Sequence, residues 1–434
     1  MKITFWGSTD DVTGSMTYLE TSEGIILIDC GLVQGEEKEN KSKNKLPFPI
    51  DPSELTAIII THAHLDHTGL IPRMVKDGFR GRIYCTPATS RLMQIILMDS
   101  AKLNAENNFY DTKDVNISIP LIKTLDWNEP FELIGAKLHF ISAGHILGAS
   151  SLVIEKNDKR IVFSGDLGRF DDPILLPHQP CPEADVVIME STYGNRTRHS
   201  TIDDELKKFL KIVAKEKRIG IIASFAVARA QTLLTLIHRF HQNNPEYKVR
   251  VVMDSPMMKA SNSVYKRFKH LTLQSDEVFD ALDDIDAIEY QKEWESLRNK
   301  SGPLIIVSSS GMLTGGRIGR HLLNWHNDKK AILLLAGYQG AKTPGRNLLE
   351  GSRQLVGPDD EIFEWQGEIW HSDAFSSHAD QNELIEWVKS SNAGHVFLLH
   401  GEEKAKNVLS TKLKEQGMKN VSIPSRGETF ELLD

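Results

Sequence analysis

The sequence predicts an α/β protein in which a domain of short strands is interrupted by an inserted domain with a parallel sheet and crossover helices. Three observations carry this. Residues 1–199 read as short apolar strands set between turns, residues 200–366 alternate helices with strands of buried type, and residues 367–434 return to the first style. A chain of 434 residues is also too long for a single growing core.

In the first part strands are expected at 3–5, 25–28, 57–60, 137–141, 151–154, 161–164 and 186–189, with few long helices. Past Ser200 the period changes. Ile202, Leu206, Phe209, Leu210 and Val213 share one helical face behind a Ser/Thr cap, with acids leading and lysines trailing, which suits the helix dipole. The runs IGIIASF, KVRVVMD, PLIIVSS and AILLLAG then alternate with helices through 233–240, Val264 and Leu322. Such alternation builds a parallel sheet, because parallel neighbours need long crossovers. After Gly367 come the strand HVFLLHG, a helix over 402–415 and a short strand near Val421. The run 36–45 reads as an exposed polar loop, and the acidic stretch 276–286 as the solvated face of a helix.

With 40% hydrophobic and 25% charged residues, the chain is of ordinary globular type. A formal net charge of -8 repels phosphate overall, so a nucleic-acid site requires a local basic groove. Cys30, Cys85 and Cys181 are odd in number and widely spaced, which indicates neither a disulfide framework nor a thiolate metal site. No apolar run reaches the length of a membrane span, and the N-terminus lacks a basic-then-apolar leader. A mature cytoplasmic protein with no membrane contact is the expectation; the oligomeric state stays open, a homodimer included.

The densest chemistry follows the strand TAIII. His62, His64, Asp66 and His67 place three imidazoles and a carboxylate within six positions at a strand exit. Alternation sets His62 and His64 on one side, while Asp66 and His67 fall where a helix begins and aim at a neighbouring point. Four such donors at this spacing are a poor match to chance. His145 in SAGHILGAS, Asp166 in FSGDLG and His400 in FLLHGE each follow an apolar strand, where active-site loops gather, although each taken singly also fits an ordinary loop residue. Together they form a ligand set for two zinc ions, with Asp166 as the bridging carboxylate, since such pairs lie about 3.5–4 Å apart. One ion would take His62, His64 and His145, the other Asp66, His67 and His400, with a shared hydroxide as nucleophile. Asp29, ending GIILID, is expected to orient a ligand or the attacking water, with a plain turn aspartate as the alternative.

This run, with Asp29 before it and His145 and Asp166 after it, resembles the metallo-β-lactamase superfamily, which implies an αββα sandwich with metals at one sheet edge. Glu190 in MESTYGNR, His378 in FSSHADQ and His400 in LLHGE, separated by an insertion of domain size, resemble motifs A, B and C of the β-CASP branch. The resemblance spans essentially the whole chain. It implies a metallo-β-lactamase domain over 1–199 and 367–434 with a β-CASP domain at 200–366. It implies nuclease activity of the kind found in the endonuclease subunit of the cleavage and polyadenylation specificity factor and in ribonuclease J. A histidine at motif C is similar to the RNA-processing members, so His400 points to RNA, and the lack of appended domains resembles the short bacterial form. By the same resemblance His378 protonates the leaving oxygen or stabilises the scissile phosphate, and Glu190 holds its imidazole.

Phosphate has several candidate seats. Ser308, Ser309, Ser310 and Arg317 lie at a strand-to-helix corner, for which a plain turn with capping serines is the alternative. Lys342, Thr343 and Arg346 form a weaker second set. Ser376 and Ser377 precede His378 and either bind phosphate or cap the helix beginning near Asp380.

The expected function is two-zinc hydrolysis of single-stranded RNA between the sandwich and the inserted domain, endonucleolytic, with 5′-to-3′ exonuclease action as the competing mode. A thioesterase or lactonase of the same fold explains the metal motif but neither the insertion nor His378. A non-catalytic RNA-processing subunit would be expected to have lost ligands that this chain retains.

Overall fold

The structure is a computed structural model of the full chain; it describes residues 1–34, 42–104, 109–283, 285–287, 291–298 and 300–432. Part of the polar run 36–45 therefore lies outside the described residues. The chain divides into two compact units, one of Met1–Thr197 with His378–Asp434, the other of Arg198–Ser377.

The first unit contains two seven-stranded sheets. One runs in the order Thr429–Glu431, Lys2–Phe5, Thr17–Thr21, Gly24–Ile28, Ala57–Ile59, Arg82–Cys85, Ile122–Thr124. The other runs Val421–Ser422, His395–Leu399, Val186–Glu190, Lys159–Phe163, Ser150–Lys156, Ala136–Ser142, Phe131–Leu133. Alternation decides which face turns inward: in Lys2–Phe5 it is Ile3 and Phe5 that are buried. They join Leu19, Ile26 and Ile59 of the first sheet and Phe140, Leu152, Ile188 and Phe397 of the second in one core, with Phe5 and Phe397 rings 5.0 Å apart. Full burial of each such side chain contributes about 1.5–3 kcal/mol, so this interlayer core is what holds the two sheets face to face.

One long helix departs from expectation. Pro87–Asn104 is an 18-residue helix in a region read as poor in helices. Leu92, Met93, Ile96 and Leu97 are buried, but so are Thr89, Ser90 and Ser100, and buried polar residues blur the apolar period.

The second unit carries a six-stranded parallel sheet in the order Asp286–Ala287, Arg250–Asp254, Leu304–Ser308, Ile219–Ala223, Ile332–Leu335, Glu368–His371. Its first helix, Ile202–Lys215, buries Ile202, Leu206, Phe209, Leu210 and Val213, the face expected from the sequence, and Thr201 caps it by accepting from the Asp204 amide. The return to the first unit comes later than the expected 367, because Glu368–His371 pairs in parallel with Ile332–Leu335.

Candidate functional site

All seven expected ligands, together with Asp29, Glu190 and His378, fall in the first unit. Topology explains the convergence. Gly24–Ile28 and Ala57–Ile59 are parallel neighbours, so Asp29 emerges beside the segment that carries His62 to His67. Lys159–Phe163, Val186–Glu190 and His395–Leu399 are likewise parallel, so Asp166, Glu190 and His400 leave from the same strand ends. His145 lies in the turn between Ala136–Ser142 and Ser150–Lys156, and the Ser150 amide donates to Thr61 O at 2.9 Å, stitching that hairpin to the other sheet. Close approach here requires glycine: a Cβ on Gly31 would stand 1.7 Å from Asp66 O.

Two groups of donors result. His62, His64, His145 and Asp166 form one, and Asp66, His67 and His400 the other, each with ligand atoms within 4.8 Å of one another. Asp166 faces both. Its Oδ2 lies 3.5 Å from His62 Nε2 and 3.7 Å from His145 Nε2, while its Oδ1 lies 3.3 Å from His67 Nε2 and 3.6 Å from His400 Nδ1. Asp66 Oδ2 sits 3.5 Å from His400 Nε2.

The donor set fits divalent cations better than it fits itself. Both nitrogens of His145 and Oδ1 of Asp166 are buried without a hydrogen-bond partner among the described residues, a costly arrangement unless something else satisfies them. Burial, reinforced by neighbouring imidazoles, pushes His62 and His145 well below the usual histidine range. Burial also lowers His67, but Asp166 and Asp29 outweigh it and hold that ring well above the usual range. His62 and His145 are thus held neutral while the Asp166 carboxylate, whose neighbouring imidazoles outweigh its burial, stays ionised; imidazole and carboxylate donors converging at this distance are the donor chemistry of a zinc-type site.

Supporting groups fix the ligands. Asp29 Oδ2 lies 2.7 Å from His67 Nδ1, and Asp29 also accepts from the Thr61 amide at 2.9 Å and the Thr61 hydroxyl. This gives the orienting role expected of Asp29 a geometric basis, since a carboxylate on the far ring nitrogen sets a ligand's tautomer. Asp29 and His400 hold φ of 58° and 49°, left-handed backbone that costs roughly 1–2 kcal/mol in a non-glycine residue and is typical of functional sites. Thr192, which the sequence reading passed over, places its hydroxyl 3.0 Å from His400 Nδ1. Its position two residues after Glu190 was the available signal.

His378 is joined to this centre by contact and by hydrogen bonding. Its ring lies 4.5 Å from that of His145, and its Nδ1 is 3.1 and 3.2 Å from the two oxygens of Glu190. Glu190 also accepts from the amides of Leu167 and Thr192, which ties His378 to the loop bearing Asp166. Burial lowers the His378 ring, but Glu190 outweighs it and raises the group above its ordinary value.

The expected phosphate residues lie in the second unit, and only some are available. Ser308 is fully buried and donates to Asp254 O at 3.0 Å, so it cannot meet a ligand. Ser309 and Ser310 are half-buried, with Ser309 donating to the Ser255 hydroxyl at 3.1 Å and Ser310 Oγ 3.1 Å from Thr314 Oγ1. Arg317 donates to Asp254 Oδ1 at 2.9 Å and stays partly exposed. Ser376 is buried, and Ser377 accepts from Arg229 at 2.6 Å. Neither serine caps the following helix; Asp380 does so, in a capping box with Glu383. Thr343 caps the helix Pro344–Leu349, and Arg346 pairs with Glu350 at 2.7 Å, an ordinary helix-surface role.

Three known families match the chain in succession: a Beta-lactamase superfamily domain at residues 25–219, a Beta-Casp domain at 230–348, and a Zn-dependent metallo-hydrolase RNA specificity domain at 366–424. Ribonuclease TTHA0252 of Thermus thermophilus is 32% identical, covering 99% of this chain and 99% of its own. A probable RNase, MJ4, of Methanocaldococcus jannaschii is 30% identical over the whole of both chains. Cleavage and polyadenylation specificity factor 73 of Drosophila melanogaster is 27% identical over 94% of this chain and 61% of its own. Among solved structures, a protein of unknown function from Enterococcus faecalis V583 shares the fold, with a TM-score of 0.57 at 14% identity over 99% of each chain.

Proposed function

The chain belongs to the β-CASP family of metallo-β-lactamase-fold ribonucleases, and on that premise we propose that it cleaves single-stranded RNA internally with two zinc ions per chain. The observation that carries the reading is the division of Asp166: each of its oxygens faces a different group of donors. Bound there, two ions would supply Lewis acidity to the phosphoryl group and to the attacking water.

The chain's own residues supply the rest. His62, His64 and His145 would hold one ion and Asp66, His67 and His400 the other, with Asp166 shared. Asp29 keeps His67 oriented from behind, and Thr192 does the same for His400. Glu190 accepts from Nδ1 of His378, leaving Nε2 to deliver a proton to the departing ribose oxygen. An alkoxide is a poor leaving group, so this transfer contributes on the order of a hundredfold or more. A small ester needs no such acid for a good leaving group, and the match to an RNA specificity domain over 366–424 also favours RNA.

A circular single-stranded RNA tests the internal mode, since it has no end to hold. The proposal expects the circle to be opened at a rate comparable to cleavage of the same RNA in linear form. Survival of the circle, while the linear 5′-monophosphorylated RNA is reduced to mononucleotides, would reverse it in favour of an exonuclease.

A further inference from the structure

The parallel sheet of the second unit has a topological switch point. From Arg250–Asp254 the chain leaves toward the edge strand Asp286–Ala287, and from the adjacent Leu304–Ser308 it leaves the other way, past Ile219–Ala223 to Ile332–Leu335. In open parallel sheets ligands bind outside the carboxyl ends of strands at such a point, because the diverging connections leave a crevice between them. Asp254 and Ser308 stand side by side at those ends.

What occupies this position is a cluster of charge. The carboxylate of Asp254 is fully buried, and three cationic or potentially cationic groups surround it. Arg317 Nη1 donates to Oδ1 at 2.9 Å, Arg320 Nε and Nη2 donate to Oδ2 at 3.0 and 2.5 Å, and His321 Nε2 lies 2.6 Å from Oδ2. Burial pushes His321 below the usual histidine range, which leaves one carboxylate against two guanidiniums. Two guanidiniums thus converge on one carboxylate, a local basic feature in a chain whose formal net charge is -8.

The two arginines are not sealed in. Their side chains are 35% and 22% exposed, and Arg320 also lies over the Trp294 ring at 4.8 Å, which fixes its plane. Thr314, Gly315 and Gly316, just before Arg317, are exposed, and a Cβ on Gly315 would meet nothing within 4 Å. A buried carboxylate that grips two partly exposed guanidiniums costs desolvation, and an apolar core would serve stability as well. What it adds is orientation: the forks are held in one place before any ligand arrives.

We propose that Asp254 is a positioning residue that fixes Arg317 and Arg320 as a phosphate-binding pair for the backbone of single-stranded RNA at the switch point of the second unit. This rests on the reading of the chain as a ribonuclease, and it adds Asp254 and Arg320 to the machinery while removing Ser308 from it.

The sign of one substitution separates positioning from bulk charge. Asp254→Asn makes the site more positive, so charge alone predicts tighter RNA binding, whereas loss of positioning predicts weaker binding. The measurement is the affinity of end-labelled single-stranded RNA at several salt concentrations, in full-length protein carrying His378→Ala to prevent turnover, with folded protein quantified by circular dichroism. We expect Asp254→Asn and Arg317→Ala each to weaken binding about tenfold, the scale of one charge-assisted hydrogen bond, and the double variant to be no worse than either. Arg317→Ala should also reduce the slope of log affinity against log salt by about 0.7, one phosphate contact on a single strand. In chains with His378 intact, KM should rise and kcat should hold. Unchanged or tighter binding by folded Asp254→Asn overturns the proposal. If that variant does not fold, Arg317→Ala and Arg320→Ala decide by the same criteria, and parental affinity and slope in both overturn it. A parent that neither binds nor cleaves RNA would overturn the ribonuclease reading along with this one; a parent that does both while the variants match it would overturn this one alone.

Discussion

Glu190 grips His378 from a position 188 residues earlier, with Nδ1 at 3.1 and 3.2 Å from its two oxygens. The contact leaves the outer ring nitrogen open, and in the proposed mechanism the pair is the acid arm of the site. His378→Ala should therefore reduce RNA cleavage by about a hundredfold or more while metal content stays at the parental level. Glu190→Gln keeps an acceptor but removes the charge, so its rate should fall between the two. Loss of metal from His378→Ala would make the residue a ligand, and a parental rate would remove it from the chemistry.

Metal content separates ligands from their supports. Asp66→Ala deletes the carboxylate in the group with His67 and His400, so that variant should retain about half of the parental metal and lose turnover. Asp29→Asn weakens the grip on His67 without touching an ion, and should lower metal affinity by roughly ten- to a hundredfold. Both are read by metal analysis after dialysis against graded chelator. Full activity in Asp66→Ala contradicts the two-ion arrangement.

The second unit should show a distinct acid sensitivity. Burial pushes His241 down to about 4, and its Nε2 has no hydrogen-bond partner among the described residues. The ring is neutral in the folded chain and protonates more readily when unfolded. Its contribution is thus fully present above the unfolded value near 6.5 and is lost as pH falls toward 4. Denaturant melts of His241→Gln should lose less stability between pH 7 and pH 4 than the parent does. Parallel loss in the two proteins would place the acid sensitivity elsewhere.

How much of this was legible in the sequence depended on whether a residue's role is local. His62 to His67 are legible because four donors in six positions cannot be dispersed by any fold. His145, Asp166 and His400 are legible as residues just past apolar strands; parallel pairing brings the strand ends of Asp166 and His400 together, and the Ser150 amide bonded to Thr61 O draws in the antiparallel hairpin that carries His145. Ser308 failed for the converse reason. Nothing in SSSG tells which hydroxyl the neighbouring backbone consumes, and in Ser308 it is spent on Asp254 O. Asp254 itself read only as the end of KVRVVMD, because its three partners lie more than sixty residues away. The helix Pro87–Asn104 hid behind buried Thr89, Ser90 and Ser100.

The central claim is a ribonuclease built on two ions bridged by Asp166, and stoichiometric reconstitution tests it most directly. Protein stripped by chelator and returned to metal-free buffer would be titrated with Zn2+ while cleavage of single-stranded RNA is followed. The account predicts no cleavage in the stripped protein, little below one equivalent, and a rise that levels at two equivalents per chain. Full activity at one equivalent, or cleavage that survives stripping, would contradict it.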